Sequence, residues 1–258
     1  MRLDLIKRVA VAAAYKSAGI LRSYLGNITS ISKKGATDLV TEADAASEEA
    51  IIKTIKKVFP DHAILAEESG LIAGDDGCQW IIDPLDGTTN FTHEFGLFSI
   101  SIAYAFGGDV VVGIVLSPLT EELFSATKGD GATLNGRPIQ VSGQKQVIES
   151  LLVTGFPYNL DETEDPLLNR LSHCLTSSQG VRRLGSAAID LCYVACGRFD
   201  AFWEESLHVW DVAAGMLIAS EAGAVITDFK NRPFTLDQKE ILATNGHIHE
   251  EMLSLLEL

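Results

Sequence analysis

The sequence is poor in proline, cysteine and basic residues, and each shortage excludes a class of protein. Only seven prolines interrupt 258 residues, 47% of which are hydrophobic, so the chain is neither disordered nor fibrous. Asp and Glu number 35 against 20 Lys and Arg, which gives a formal net charge of −15. Such a surface repels phosphate backbones, so we expect no direct contact with nucleic acid.

Long apolar runs and a leader pattern are also missing. No stretch approaches the ~18 uninterrupted apolar residues that a membrane-spanning helix needs. Residues 2–25 carry Lys and Arg along their length and repeat apolar residues at helical spacing, which argues against a signal peptide. Of the four cysteines, Cys192 and Cys196 lie one helical turn apart in an apolar stretch and are interpreted as buried thiols. These features predict a cytoplasmic protein without a membrane segment.

Helical and strand-like segments alternate along the chain. Helices are predicted over residues 2–25, about 42–58, within 162–177, after 186, from 209 to a stop at 223, and over 247–257. The runs FSISIAYAF and VVVGIVLSP around Gly107 and Gly108 predict a β-hairpin. Without repeats or an obvious linker, the chain is expected to form a layered α/β protein. We expect one unit over residues 1–258, with halves of about 1–145 and 146–258 packed closely.

Carboxylates collect at the ends of apolar segments. Glu67 follows one strand-like run, and Asp83 and Asp86 follow another. Asp211 opens a helical segment. Each alone is more often a turn former or a helix N-terminal residue, so the repetition is the informative feature. Unpaired carboxylates that meet in a partly buried site repel one another, and no arginine cluster is spaced to neutralise them.

An all-oxygen donor set predicts Mg²⁺, with Mn²⁺ as a possible substitute, rather than Zn²⁺. Magnesium held by few carboxylates keeps positions for water and phosphate oxygens. Two such ions ~4 Å apart can hold both the attacking water and the leaving oxygen of a phosphoryl transfer. Four carboxylates repel a phosphate dianion, two ions cancel their charge, and a third ion makes the pocket attractive. We therefore expect two or three ions and a phosphate-ester substrate.

The stretch DGTTN supplies the groups that a phosphate requires. The chain is predicted to turn at Gly87 and to expose main-chain N–H groups over residues 88–90, where a helix begins. Thr88 offers a hydroxyl that can orient a water molecule, provided that a carboxylate accepts its proton.

Four motifs in order, DLVTEAD, AEES, DPLDGTTNF and WDVAAG, resemble the inositol monophosphatase family of magnesium-dependent, lithium-sensitive phosphatases over essentially the whole chain. GATLNGRPI and LGSAAIDL are similar to its bacterial members. The resemblance implies an αβαβα sandwich of the inositol monophosphatase and fructose-1,6-bisphosphatase type. It also implies a homodimer, inhibition by lithium and a small-molecule phosphate monoester as substrate.

The resemblance assigns roles to individual residues. Glu67, Asp83 and the carbonyl of Leu85 would bind one ion, and Asp83, Asp86 and Asp211 a second. Thr88, hydrogen-bonded to Asp44, would act with Glu67 to activate the attacking water. The implied substrate-binding residues are Gly87, Thr88, Gly185, Ser186, Ala187, Glu204 and Asp211. Lys34 resembles a lysine in a loop near the family's site, and Ser206 stands where the pattern often has glycine before the helical aspartate.

Three functions remain open at this point. Hydrolysis of myo-inositol monophosphate leads, because Thr89 stands where relatives acting on phosphoadenosine phosphate or histidinol phosphate often carry lysine. Fructose-1,6-bisphosphate hydrolysis, alone or as a second specificity, is the alternative. A non-catalytic role in ribosomal RNA transcription and maturation, as in some bacterial relatives, is the third. Among the remaining polar residues, His247 and His249 are expected at the surface or at a helix cap.

Overall fold

The computed structural model of the chain describes residues 3–33, 39–157 and 164–257. The helices of this part are α1 (Leu3–Tyr24), α2 (Glu42–Lys56), α3 (Thr88–Thr92), α4 (Glu164–Ser177), α5 (Ala187–Ala195), α6 (Val209–Glu221) and α7 (His249–Leu256). The strands are β1 (Ile31–Lys33), β2 (Leu39–Thr41), β3 (His62–Ala66), β4 (Gly70–Ile72), β5 (Asp75–Asp86), β6 (Ser99–Phe106), β7 (Asp109–Ser117), β8 (Glu122–Thr127), β9 (Ala132–Leu134), β10 (Arg137–Pro138), β11 (Leu151–Thr154), β12 (Gly180–Arg182), β13 (Ala201–Glu205), β14 (Val225–Thr227) and β15 (Glu240–Thr244). None of the described helices has the length and apolarity needed to cross a bilayer. Lys34, the loop lysine of the sequence prediction, lies outside the described residues.

Two large sheets organise the molecule. Eight strands pair in the order β10-β9-β8-β7-β6-β5-β3-β4, and five pair in the order β12-β11-β13-β15-β14. Neighbours in the larger sheet are antiparallel except β3 and β5, which run parallel. The hairpin predicted around Gly107 and Gly108 is present as β6 and β7.

Alternate residues of the central strands face opposite ways, and this separates three apolar cores. Ile82 packs with α1 and α2, whereas its neighbour Ile81 packs with α5 and α6. In the smaller sheet, Phe202 joins the α5 and α6 core and Trp203 joins the core beneath α4 and α7. The layers therefore run helix, sheet, helix, sheet, helix, and the αβαβα prediction is confirmed.

Helix α6 packs unusually close to the larger sheet. A Cβ at Gly113 of β7 would lie 2.7 Å from the carbonyl oxygen of Ala214, so only glycine permits this approach. Ser101 of β6 ties the start of α6 to the same sheet, because its hydroxyl donates to the Trp210 carbonyl over 3.2 Å. The first turn of α6 is thereby fixed beside the ends of the central strands.

The expectation for His249 was wrong, and the helix predicted over about 42–58 is slightly shorter than predicted. His249 was expected at the surface or as a cap, but it is buried, with its ring nitrogens 3.1 Å from the Thr227 hydroxyl and 3.0 Å from the Thr244 hydroxyl. These strand hydroxyls satisfy the ring inside the core, and burial lowers its pKa and keeps it neutral. Helix α2 ends at Lys56 rather than near residue 58.

Candidate active site

The parallel pairing of β3 and β5 brings Glu67 beside Asp83. Ala66 pairs with Ile82, and the Glu67 N–H donates to the Ile82 carbonyl over 3.2 Å. The carboxyl ends of β3 and β5 lie at the same end of the sheet, because the two strands are parallel. Asp83 still pairs with β6, and a bulge then carries residues 84 and 85 out of register before pairing resumes at Asp86. Two strand ends thus deliver three of the predicted carboxylates to one place.

The loop after Asp83 is held by its own hydrogen bonds. The Leu85 N–H donates to Asp83 Oδ1 over 2.9 Å, and the Thr88 hydroxyl lies 3.1 Å from the Leu85 carbonyl oxygen. Gly87 adopts φ 98°, a left-handed conformation that favours glycine, and starts α3. A Cβ there would also lie 3.0 Å from the Gly185 carbonyl oxygen, so the turn needs glycine for space as well.

Asp44 is the carboxylate that Thr88 requires. The Thr88 hydroxyl lies 3.0 Å from Asp44 Oδ1, while the N–H and hydroxyl of Thr41 donate to Asp44 Oδ2 over 2.8 and 2.7 Å. Thr41 also caps α2, so Asp44 is fixed by the helix start. With its proton given to Asp44, the Thr88 oxygen keeps lone pairs for a water molecule. Burial raises the pKa of Asp44 in spite of these donors.

Helix α5 holds Asp86. Its Oδ2 accepts from the Ser186 hydroxyl over 2.6 Å and from the Ala188 N–H over 2.8 Å. Ser186 was predicted to face the substrate; it lines the cleft, but its side chain is buried and its hydroxyl supports Asp86. Burial raises the pKa of Asp86 to about 6 in spite of these hydrogen bonds, and the charge of Glu67 adds to the rise.

Asp211 enters from α6. Its Oδ2 accepts from the His208 N–H over 2.7 Å across the first turn of that helix. Burial and the charge of Asp86 raise its pKa well above the usual range, and Lys239 opposes this shift. His208 itself is exposed and stacks on Trp210, with ring centroids 4.8 Å apart.

Glu67, Asp83, Asp86 and Asp211 form one electrostatic group. The pKa of Asp83 lies well above its usual range because of burial and then the charges of Glu67, Asp86 and Asp211. Such a group has little tendency to stay ionised unless a cation joins it, and an all-oxygen donor set suits Mg²⁺. Hydrogen bonds from the protein engage one oxygen of each aspartate and fix its direction. Within the described residues, no three acidic, histidine or cysteine side chains form a preassembled metal cluster, so the ligand assignment stays a prediction.

A cleft of about 80 Å³ is lined by two of these carboxylates, Asp86 and Asp211. Its walls include the predicted substrate residues Gly87, Gly185, Ser186, Ala187, Glu204 and Asp211. Glu204, on β13, is buried, and burial and then Asp211 raise its pKa well above the usual range. The cleft therefore brings together six of the seven predicted substrate residues, all except Thr88, with the predicted metal ligands Asp86 and Asp211.

The cleft also contains residues that sequence reasoning missed, namely Gly155, Phe156, Arg183 and Asp190. A Cβ at Gly155 would lie 2.1 Å from Glu204 Oε2, so this glycine makes the space that Glu204 occupies. Arg183 lies 5.9 Å from the Phe156 ring centroid. Burial raises the pKa values of Glu204 and Asp190, and the charge of Arg183 partly opposes that rise. Residues after β11 meet the end of β13 because the two strands are parallel neighbours, a pairing that no local sequence pattern indicated.

Comparisons with known proteins identify the family of the chain. Residues 2–257 match the inositol monophosphatase family. Inositol-1-monophosphatase of Synechocystis sp. is 46% identical over 250 residues, covering 96% of this chain and 87% of that protein. Nus factor SuhB of Pseudomonas aeruginosa is 42% identical over 257 residues, covering 96% and 94%. The solved structure of inositol monophosphatase from Anabaena (Nostoc) superposes with a TM-score of 0.90 at 41% identity, covering 99% and 96%. The chain therefore belongs to the inositol monophosphatase family, which supports a phosphatase activity.

Proposed function

We propose that the protein is a Mg²⁺-dependent phosphoric monoester hydrolase that converts myo-inositol monophosphate to inositol and phosphate. The observation that carries this proposal is the Thr88–Asp44 hydrogen bond beside four mutually repelling carboxyls. A hydroxyl whose proton is committed to a buried carboxylate orients a water, and the carboxyls provide the donor set for the ions that activate phosphate.

Glu67, Asp83, Asp86, Asp211 and the carbonyl of Leu85 would hold two or three magnesium ions, for which manganese could substitute. When bound, these ions supply Lewis-acid polarisation of the phosphate and neutralise the charge of the pocket. This assignment is consistent with the charge of the site, because a phosphate dianion would otherwise meet four acidic side chains.

The remaining chemistry belongs to the protein. The Thr88 oxygen accepts a hydrogen bond from the attacking water, and Glu67 takes up a proton from that water. The water oxygen bonds to phosphorus as the ester P–O bond breaks, and the oxygen of the leaving alcohol takes up a proton in return. Main-chain N–H groups of Gly87 and Thr88 bind the phosphate where the chain turns into α3. Gly185, Ala187 and Glu204 face the alcohol that leaves, while Ser186 holds Asp86 in place.

Phosphate release with and without Mg²⁺ tests the proposal. We expect Mg²⁺-dependent release that is fastest with inositol-1-phosphate among four substrates, the others being fructose-1,6-bisphosphate, phosphoadenosine phosphate and histidinol phosphate. Lithium in the millimolar range is expected to inhibit. A different leading substrate would replace the substrate assignment and keep the phosphatase chemistry. Release that persists in a metal chelator would contradict the magnesium assignment.

A second candidate, a protein-binding role, is favoured by the names of several relatives. The Pseudomonas aeruginosa protein is called a Nus factor. If this chain shares such a role, the turnover-deficient variant Asp83→Asn should recover the same transcription proteins from lysate as the wild type. Recovery of none by either protein would dispose of this candidate.

A further inference from the structure

Asp190 is a buried carboxyl without a hydrogen-bond partner in the part of the chain that the structure describes. It lies one turn into α5, where its N–H donates to the Ser186 carbonyl over 3.0 Å. Its side chain is 1% exposed, and neither carboxyl oxygen has a hydrogen-bond partner among the described residues. Native proteins pair nearly all buried polar groups, so a carboxyl with two unmet oxygens calls for an explanation.

The location of Asp190 provides that explanation. Asp190 lines the same cleft as Glu204 and the predicted metal ligands Asp86 and Asp211. It lies within electrostatic reach of Glu204 and Arg183 but forms no ion pair with Arg183. Because Asp190 lines the cleft, a group bound there could supply the partner that its two oxygens lack.

We propose that Asp190 is a specificity-determining residue that hydrogen-bonds a hydroxyl group of a polyol leaving group beside Glu204. The proposal rests on the phosphatase function above and deepens it by naming what this part of the cleft selects. Asp190, Glu204 and Arg183 together carry a net charge of −1 when both carboxyls are ionised. The net charge is zero when one carboxyl is protonated and becomes positive only when both are. A second phosphate is disfavoured there, whereas a neutral hydroxyl can donate to a carboxylate or accept from a carboxylic acid.

The environment of Asp190 agrees with this role. Burial and then the charge of Glu204 raise its pKa well above the usual range. A protonated carboxyl offers both a donor and an acceptor, which are the two capacities of a hydroxyl. A site built to hydrogen-bond a substrate hydroxyl discriminates strongly against analogues that lack it, because its own polar groups then stay unpaired.

Two substrates separate the proposal from a purely structural role. Steady-state kinetics at saturating Mg²⁺ would compare the wild type, Asp190→Ala and Asp190→Asn with inositol-1-phosphate and with p-nitrophenyl phosphate, whose leaving group has no further hydroxyl. Asp190→Ala should lower kcat/KM for inositol-1-phosphate by about 10-fold or more, mainly through KM, and change that for p-nitrophenyl phosphate less than about 2-fold. Asp190→Asn, which keeps a donor and an acceptor, should recover most of the loss.

Asp200→Asn is the matched control. Asp200 is also buried, but its oxygens accept from the Ser142 hydroxyl and the Leu151 N–H outside the cleft. This variant should lower the melting temperature and leave the ratio of the two kcat/KM values unchanged. Equal losses for both substrates in Asp190→Ala, or no loss for either, would overturn the proposal. A wild type inactive toward both substrates would overturn the proposed function and this inference with it.

Discussion

At the scale of the residue, the candidate chemistry depends on how firmly Thr88 is oriented. Its acceptor Asp44 is fully buried, and the other oxygen of that carboxyl is already occupied by two donors from Thr41. The carboxyl can therefore rotate little, and the Thr88 hydroxyl points its lone pairs in a defined direction. Preorganisation of this kind is what a water-activating group needs.

Thr88→Ala is expected to lower kcat by about 100-fold or more, because the group that accepts a hydrogen bond from the attacking water is lost. Metal affinity should change little, since the Thr88 side chain is not among the predicted ligands. Kinetics and calorimetric Mg²⁺ titration would measure the two effects separately. Thr88→Ser keeps the hydroxyl and serves as the control. An effect on KM alone would contradict the role.

At the scale of the element, helix α2 supports both loops that carry the carboxylates. Glu48 accepts from the N–H groups of Glu68 and Ser69, each over 2.9 Å, and so fixes the turn after Glu67. Ser47 donates to the Pro84 carbonyl over 2.8 Å and fixes the loop after Asp83. One helix thereby sets the distance between two strand ends.

The turn from β13 to α6 contains strain that a single substitution can test. Ser206 has φ 65°, a left-handed conformation that costs non-glycine residues energy. Ser206→Gly should raise the free energy of unfolding by about 0.5–1 kcal/mol, the relief exceeding the added entropy of the unfolded chain. Urea denaturation would measure it. Ser206→Ala removes only the hydroxyl, and equal stability of the two variants would exclude the backbone explanation.

At the scale of the whole molecule, the acidic site should make metal-free stability depend on pH. The folded pKa of Asp86 is raised from 3.8 to about 6, and those of Asp83 and Asp211 are raised further above the usual range. Between the unfolded and folded pKa values the folded state binds more protons, so stability falls as pH rises. Glu122, whose pKa is lowered by hydrogen bonds from Arg198, acts in the opposite sense only at more acidic pH.

In the metal-free protein, we expect the melting temperature to fall as pH rises from about 4 through 6 and beyond, by roughly 2–4 °C for each kcal/mol lost. Saturating Mg²⁺ should flatten this decline, because a bound cation favours the ionised carboxylates. Thermal denaturation over that pH range, with chelator and with Mg²⁺, would measure both curves. Parallel curves would show that the carboxyls do not bind the ion.

The larger part of the fold could be predicted from the sequence, because local patterns carry it. Helical spacing in α1, alternation in β6 and β7, and the cap at Thr41 are properties of neighbouring residues. Carboxylates at the ends of apolar runs also indicated Glu67 and Asp83, since strand ends meet at a sheet edge. The two-sheet sandwich followed from the family resemblance rather than from periodicity.

Tertiary structure alone decided which distant groups meet. Ala188 donates to Asp86 across 102 positions, and no local pattern encodes that contact. Gly155 makes space for Glu204, and His249 finds its hydroxyl partners inside the core. In the sequence, Asp190 resembles any aspartate in the first turn of a helix, and only the tertiary structure shows that it is buried. The sequence by itself determined the helices and strands of the layers and which carboxylates follow apolar runs. The packing of α5 and the pairing of β11 with β13 determined which residues line the cleft, because burial depends on three-dimensional neighbours.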